Sequence, residues 1–198
     1  MSAPTAPPLL LASTSPQRRK ILEQLGILFD VLAPDYEEHD PPEADAVELV
    51  KEHALGKARS VADRADGRPV LGVDTAVVLD GRVYGKPANP VDAAAMLEAL
   101  GAKTHHLVVS GLTLLTPGWE VVDHVTTRVT FRPLTPRDVA AYVASHEWEG
   151  RAGGYAIQGL GAGLVEAIEG DYLNVVGLPA ALLVRLLGER FAGVYGFG

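Results

Sequence analysis

Leu9-Leu10-Leu11-Ala12-Ser13-Thr14-Ser15-Pro16-Gln17-Arg18-Arg19-Lys20-Ile21-Leu22-Glu23-Gln24-Leu25-Gly26 is the stretch whose reading decides the fold. Its four apolar residues, Leu9–Ala12, read as a short buried strand. Ser15 followed by Pro16 is a helix N-cap with proline at the first helical position. Ile21, Leu22 and Leu25 then share one helical face, and Gly26 stands where the residue that closes a helix belongs. Strand, polar turn and helix in that order open an α/β arrangement.

The alternation continues along the chain. Phe29–Leu32 reads as a second strand, followed by an acidic, irregular segment (Asp35, Glu37, Glu38, Asp40, Pro41, Pro42). Apolar residues at Val47, Val50, Ala54, Ala58 and Val61 predict a helix from about Glu43 to Ala65. Val70–Asp74 reads as a buried strand, and Val77–Asp80 with Arg82–Tyr84 as a hairpin turning through Asp80-Gly81. Pro90–Leu100 is a helix closed by Gly101. His106–Leu115 and Val121–Phe131 are β-rich runs separated by Thr116-Pro117-Gly118. Thr135-Pro136 starts a helix to about Ser145, and the glycine-rich Gly150–Gly163 reads as loop. Leu164–Ile168 is a strand and Leu178–Leu187 a final helix. Several connections are too short for a parallel crossover, so the sheet is expected to be mixed.

Composition bounds the function classes. The chain has 198 residues, 47% of them hydrophobic and 21% charged, which suits a folded globular protein. One domain spanning residues 1–198 is expected, with residues 1–8 a flexible N-terminus. No cysteine is present, which excludes a disulfide scaffold, a zinc ribbon, a thiol nucleophile and an iron–sulfur site. Seventeen Lys+Arg against 25 Asp+Glu leave a net charge of −8, which together with few aromatic residues argues against a nucleic-acid-binding domain. No segment approaches the roughly 20 apolar residues that cross a bilayer. Met1–Pro8 has no Lys or Arg, and Leu9–Ala12 is too short for a signal-peptide core. A cytoplasmic location and no membrane partner are the expectation.

Four places could carry chemistry. The turn from Ser13 to Lys20 puts hydroxyls and three basic residues at a helix N-terminus, where free N–H groups and the helix dipole favour a phosphate. Its alternative is a capped helix with solvated basic residues. Lys57 and Lys86 are single lysines, each either a solvated charge or an anion contact; Lys86 stands out because Gly85-Lys86-Pro87 restricts its backbone. Asp74, read at the C-terminal end of a strand, lies where ligands gather in open α/β sheets. With Glu38 it could hold a divalent cation on a triphosphate, or it could cap the following turn. Lastly, the Gly150–Gly163 loop carries Gln158, whose amide could read a base edge, and Gly170-Asp171-Tyr172 with Asn174 follows. Several motifs are missing: there is no G-x-x-x-x-G-K-[ST], no G-x-S-x-G and no zinc-type histidine spacing, and Gly159–Leu164 breaks the dinucleotide fingerprint at its last position.

An ordered set of short blocks resembles one known family. These are Leu11–Arg19, Glu37-Glu38, Lys57-Ala58, Gly72-Val73-Asp74-Thr75, Gly85-Lys86-Pro87, Ala152–Gly159 and Asn174-Val175-Val176-Gly177-Leu178-Pro179. Together, from about Leu9 to Leu187, they resemble the Maf family of nucleoside triphosphate pyrophosphatases. The resemblance implies a three-layer α/β/α fold on a mixed, twisted sheet like that of the inosine triphosphatases, with a cleft between two lobes. It also implies a homodimer, a divalent metal cation (Mg²⁺ or Mn²⁺), and hydrolysis of a nucleoside triphosphate to the monophosphate and pyrophosphate. Carried over residue by residue, Ser13 and Arg18 hold phosphate oxygens, and Lys57 and Lys86 add charge. Asp74 is base, metal ligand or both, and Glu38 helps hold the metal. Thr75 and Gln158 resemble the branch acting on dTTP and UTP, whereas the 7-methyl-GTP branch has Gln and Glu there. Gln17 departs from both branches, which carry Arg or Trp at that place. The rival expectations are a 7-methyl-GTP pyrophosphatase and a nucleotide-binding regulator of cell division with little turnover.

Overall fold

Alternate residues of one long strand face opposite layers of helices, and that alternation organises the molecule. The computed structural model describes residues 7–39 and 44–197. In chain order the elements are β1 (Leu9–Leu11), α1 (Pro16–Gln24), β2 (Phe29–Val31), α2 (Ala46–Arg59), β3 (Val70–Leu79), β4 (Arg82–Tyr84) and α3 (Pro90–Gly101). They continue with β5 (His106–Thr116), β6 (Trp119–Phe131), α4 (Pro136–Ala144), β7 (Val165–Glu169), α5 (Tyr172–Val176) and α6 (Ala180–Arg190). The strands form one sheet in the order β2-β1-β3-β5-β6-β7, with β4 also paired to β3. β1 is parallel to β2 and β3, and every other pair is antiparallel. The mixed sheet expected from the short connections is therefore the one observed.

Three layers follow from the side chains of β3. Leu71 and Val73 join Ile21 and Leu22 of α1 and Leu183, Leu186 and Leu187 of α6 in one core cluster. Farther along the same face, Val77 and Leu79 join Leu97 and Leu100 of α3 and Val139 of α4. The residues between them point the other way, where Ala76 and Val78 pack with Val50 of α2. On that face α2 sits very low on the sheet, for a reason visible in the sequence. A Cβ on Gly72 would lie 2.0 Å from the Ala54 carbonyl oxygen, and one on Gly111 would lie 2.1 Å from that of Val50. Only residues without side chains permit this approach.

The helix starts obey their caps. Ser15 accepts from Arg18 N, Asn89 from Val91 and Asp92 N, and Thr135 from Asp138 N in a full capping box. Each is followed by proline, as expected. Gly26, just past α1, takes φ +68.

Several boundaries differ from expectation. The two strands read as Val70–Asp74 and Val77–Asp80 are one strand, so Asp74 is at its middle and not at its C-terminal end. β3 pairs with β5 without a break from Val70 to Val78, and this ladder carries the chain straight through the polar pair Asp74-Thr75. The helix expected from Glu43 to Ala65 is shorter. Asp45 caps α2, which ends at Arg59, and only a 3₁₀ turn, Ala62–Arg64, follows; Glu43 itself lies outside the described residues. The final helix runs over Ala180–Arg190 in place of Leu178–Leu187, α5 was not anticipated, and the glycine-rich loop holds two 3₁₀ turns, Ala152–Gly154 and Gly159–Leu164. Residues 1–6 of the expected flexible opening lie outside the described ones, while the Pro7 carbonyl accepts a hydrogen bond from the Tyr195 hydroxyl (3.0 Å). Among the described residues no helix is long and apolar enough to cross a membrane.

Two tests of stability follow. Gly72→Ala or Gly111→Ala must push α2 off the sheet, at a cost of about 2–3 kcal/mol. Chemical unfolding should show that loss, whereas Gly118→Ala, which meets no atom within 4 Å, should leave the midpoint nearly unchanged. The second concerns His106, which is buried with Nε2 2.8 Å from the Tyr155 hydroxyl. Burial pushes its pKa down to about 4, against about 6.5 in the unfolded chain. Between those values the unfolded state binds a proton that the folded state refuses, so stability falls as pH falls. The contribution is about 3 kcal/mol. Unfolding followed from pH 7 to pH 4 should be less pH-dependent in His106→Gln than in the natural protein.

Candidate active site

A notch in the sheet creates the cleft. β1 pairs with β3 only at Val70 and Leu71, and β4 takes up the same edge only at Val77–Leu79. Between them, among the described residues, that edge of β3 stays open from Gly72 to Ala76 while the other edge remains on β5. The N-terminus of α1, the end of α5 and the Gly150–Gly159 loop surround the opening, enclosing about 650 Å³. That volume is in the range of small-molecule sites. The nine residues to which the family resemblance gives a role all line it: Ser13, Gln17, Arg18, Glu38, Lys57, Asp74, Thr75, Lys86 and Gln158.

On the α2 side, Asp74 and Lys57 meet because Gly72 and Gly111 bring the helix down. Gly111 is the residue opposite Asp74 in the β3–β5 ladder. Lys57 Nζ lies 2.6 Å from Asp74 Oδ1 and 2.5 Å from Glu38 Oε1. Glu38 arrives there because its own segment is draped over α2. The Tyr36 ring fills the space a side chain at Gly56 would need, and its hydroxyl is 2.9 Å from His53 Nδ1. Asp35 N donates to Ser60 Oγ, which in turn donates to the Lys57 carbonyl.

On the opposite face, Thr75 and Arg18 form a second group. Arg18 donates from Nε to the Gly177 carbonyl (2.9 Å), from Nη1 to Ser13 Oγ (3.0 Å) and from Nη2 to Thr75 Oγ1 (3.3 Å). Thr75 Oγ1 is also 2.8 Å from Ser110 Oγ. Burial lowers the Arg18 pKa, and the Asp74 and Glu38 carboxylates pull it back up. A guanidinium has five N–H donors, so three fixed contacts orient it and still leave donors for an anion in the cleft. The polar turn thus combines a cap with a positioned cation, and the two readings left open by the sequence coexist. Arg19 and Lys20 are exposed.

Lys86 and Gln158 are exposed on the far wall. Gly153 N donates to the Gly85 carbonyl and so ties the glycine-rich loop to the Lys86 turn. The loop packs closely against β3: a Cβ on Gly153 would meet Val77 at 2.9 Å. Asn174 has no place on the wall. It is fully buried, and its Nδ2 donates to the Val108 carbonyl and Thr127 Oγ1 (both 3.0 Å). Its task is to fix α5, whose capping residue Gly177 offers the carbonyl that receives Arg18. Asp171 caps the same helix.

Four contributors were not found from sequence. Ser110 and Gly177 complete the Arg18–Thr75 network, and Glu147 and Arg151 line the loop side. Arg151 Nε is buried without a hydrogen-bond partner among the described residues. Ser110, Gly177 and Glu147 act through long-range contacts that no local spacing announces. Among the described residues, no three His, Asp or Glu side chains gather into a ready-made metal cage.

Comparisons with known proteins identify the family of the chain. A protein from Gloeobacter violaceus named dTTP/UTP pyrophosphatase is 49% identical over 182 residues, covering 91% of this chain and 95% of that protein. A Deinococcus radiodurans protein of the same name is 43% identical over 198 residues, covering the whole of both chains. Among solved structures, the Staphylococcus aureus Ham1 protein has 17% identity and a TM-score of 0.47, over 64% of this chain and 73% of that one. The family model described as Maf-like protein matches residues 8–190. The blocks that suggested the resemblance lie inside that span, and the chain belongs to the Maf-like family.

Proposed function

We infer that this protein is a nucleoside triphosphate pyrophosphatase that cleaves dTTP and UTP between the α and β phosphates. The observation that carries the reading is the pair of groups facing one cleft from opposite faces of β3. One is an anion-binding group, Ser13 and Arg18 at the start of α1. The other is an acid–base group, Glu38, Lys57 and Asp74. Relatives at 43–49% identity named dTTP/UTP pyrophosphatase support the substrate class.

The chemistry follows from the positions. A triphosphate laid across the notch has its oxygens facing the α1 N-terminus and the Arg18 guanidinium, with Lys86 adding charge at the rim. Asp74 takes a proton from the attacking water as the new P–O bond forms and the α–β anhydride bond breaks, and pyrophosphate departs. Lys57, fixed by two carboxylates, is a preorganised positive charge for the oxygens on which charge develops. Thr75, Gln17 and Gln158 are the contacts that distinguish nucleotides.

The residues present also fit a divalent cation. Glu38 and Asp74 converge on one point with two negative charges against one lysine, and Mg²⁺ sites commonly use one or two carboxylates completed by substrate phosphates and water. Those two residues would hold Mg²⁺ or Mn²⁺, which supplies Lewis-acid neutralisation of phosphate charge when bound. A cytoplasmic homodimer completes the proposal, supported by the family resemblance.

Release of pyrophosphate should be fastest with dTTP and UTP in a panel that includes CTP, 7-methyl-GTP, inosine triphosphate and the standard purines. A preference for 7-methyl-GTP would overturn the assigned specificity, and no turnover with binding intact would favour a nucleotide-binding regulator. Asp74→Asn should lower kcat by about 10²–10⁴-fold with little change in KM, as loss of a general base does. Arg18→Lys cannot reproduce three oriented contacts, and should lower kcat/KM by about 10²-fold. Both variants are to be checked for native circular dichroism.

A further inference from the structure

Gln158 stands at the tip of a turn that is held at one end by α4 and at the other by the segment following it. At one end, Ala156 N donates to the Tyr142 hydroxyl (2.9 Å). At the other, Glu147 accepts from two consecutive amides, Leu160 N at Oε1 and Gly161 N at Oε2, both at 2.9 Å. The turn also closes on itself: a Cβ on Gly161 would overlap the Ala156 carbonyl oxygen at 1.8 Å. Gly159 has φ +71, and a Cβ there would lie 2.2 Å from Glu147 Oε1, so the carboxylate lies directly against the backbone. Ile157 is buried and Gln158 exposed, which leaves the Gln158 amide as the polar side chain presented at the tip.

Glu147 is itself fixed. Its N–H donates to Ser145 Oγ (3.2 Å), and the following residue, Trp148, is buried with Nε1 donating to the Val143 carbonyl (2.9 Å). His146 takes φ +60, turning the chain between these anchors. Desolvation pushes the Glu147 carboxyl up, but the two backbone amides, with Tyr142 and Arg151, together outweigh it and hold the group below the usual glutamate range. A carboxylate is suited to this task, because it offers two acceptors in one plane and no donor. Glutamine in its place would turn an NH₂ toward one of the amides.

We propose that Glu147 is a positioning residue for nucleotide selectivity, acting by fixing the backbone of the turn that presents Gln158 to the cleft. This rests on the reading of Gln158 as a contact that distinguishes nucleotides. Glu147 binds the turn and shares no hydrogen bond or ion pair with Ser13, Arg18, Lys57 or Asp74, so its loss should spare the hydrolytic step and disturb discrimination.

Glu147→Gln tests this with the full-length protein. The ratio of kcat/KM for dTTP to that for CTP should fall about tenfold, an effect of displaced contacts, through a raised KM for dTTP at nearly unchanged kcat. Glu149→Gln, at an exposed neighbour, should leave the ratio alone. In a Gln158→Ala background the Glu147 substitution should have no further effect on selectivity, since both act through one contact. A lower unfolding midpoint with an unaltered ratio would overturn the proposal and leave a purely structural role. If Glu147→Gln does not fold, amide exchange in the natural protein decides: slow exchange at Leu160 and Gly161, slowed further by dTMP, supports the clamp, and free exchange overturns it. If the natural protein turns over no nucleotide, the enzymatic reading fails separately, and the same exchange measurement judges the clamp.

Discussion

Lys57 Nζ is bonded to Asp74 at 2.6 Å and to Glu38 at 2.5 Å, with its side chain almost out of solvent. An ammonium removed from water without partners costs several kcal/mol, so the two carboxylates are a condition for placing it there. The contact in turn demands that α2 lie unusually close to the sheet. Gly72 precedes Asp74 by two residues on the same face of β3, and Gly111 is its cross-strand neighbour; neither has a side chain to hold the helix away. A packing feature, two glycines under a helix, thereby sets the geometry of a charged group. The draped Tyr36 segment extends the same logic, because it depends on Gly56 to seat its ring and delivers Glu38 two residues later.

β3 divides the work between its faces. Asp74 points toward α2, while its neighbour Thr75 points toward α1 and receives the Arg18 guanidinium. Ordinarily a sheet would keep two such residues in separate layers. Here the edge of β3 is open between β1 and β4, so both sides reach one cleft. Carboxylates and cations can therefore be held in separate hydrogen-bond networks and still meet one ligand. This suits phosphoryl chemistry, where catalysis is mostly positioning and charge neutralisation.

Much of this was legible in the sequence where the cause is local. Ser15-Pro16 and Thr135-Pro136 fixed helix starts, because a cap and a proline act within one turn. The short connections between β-rich runs required antiparallel neighbours, and the observed sheet has them. The nine site residues were found through their ordered blocks, and they share one cleft. What was missed has a different origin. Asp74-Thr75 looked like a strand end, yet pairing with β5 carries the strand through. α5 is five residues long, too short to show a helical period, and depends on Asn174 reaching β5 and β6. Glu147 is 13 and 14 residues from the amides it binds, and its position was invisible until the loop was seen to fold back.

The most direct test of this account is a structure with a dTTP analogue whose α–β bridge cannot be hydrolysed. The expected result is a triphosphate crossing the notch, with phosphate oxygens on Arg18 and Ser13, the α–β bridge beside Asp74 and Lys57, and the base toward Gln158. A triphosphate bound outside the notch, or with its α–β bridge remote from Asp74, would contradict it.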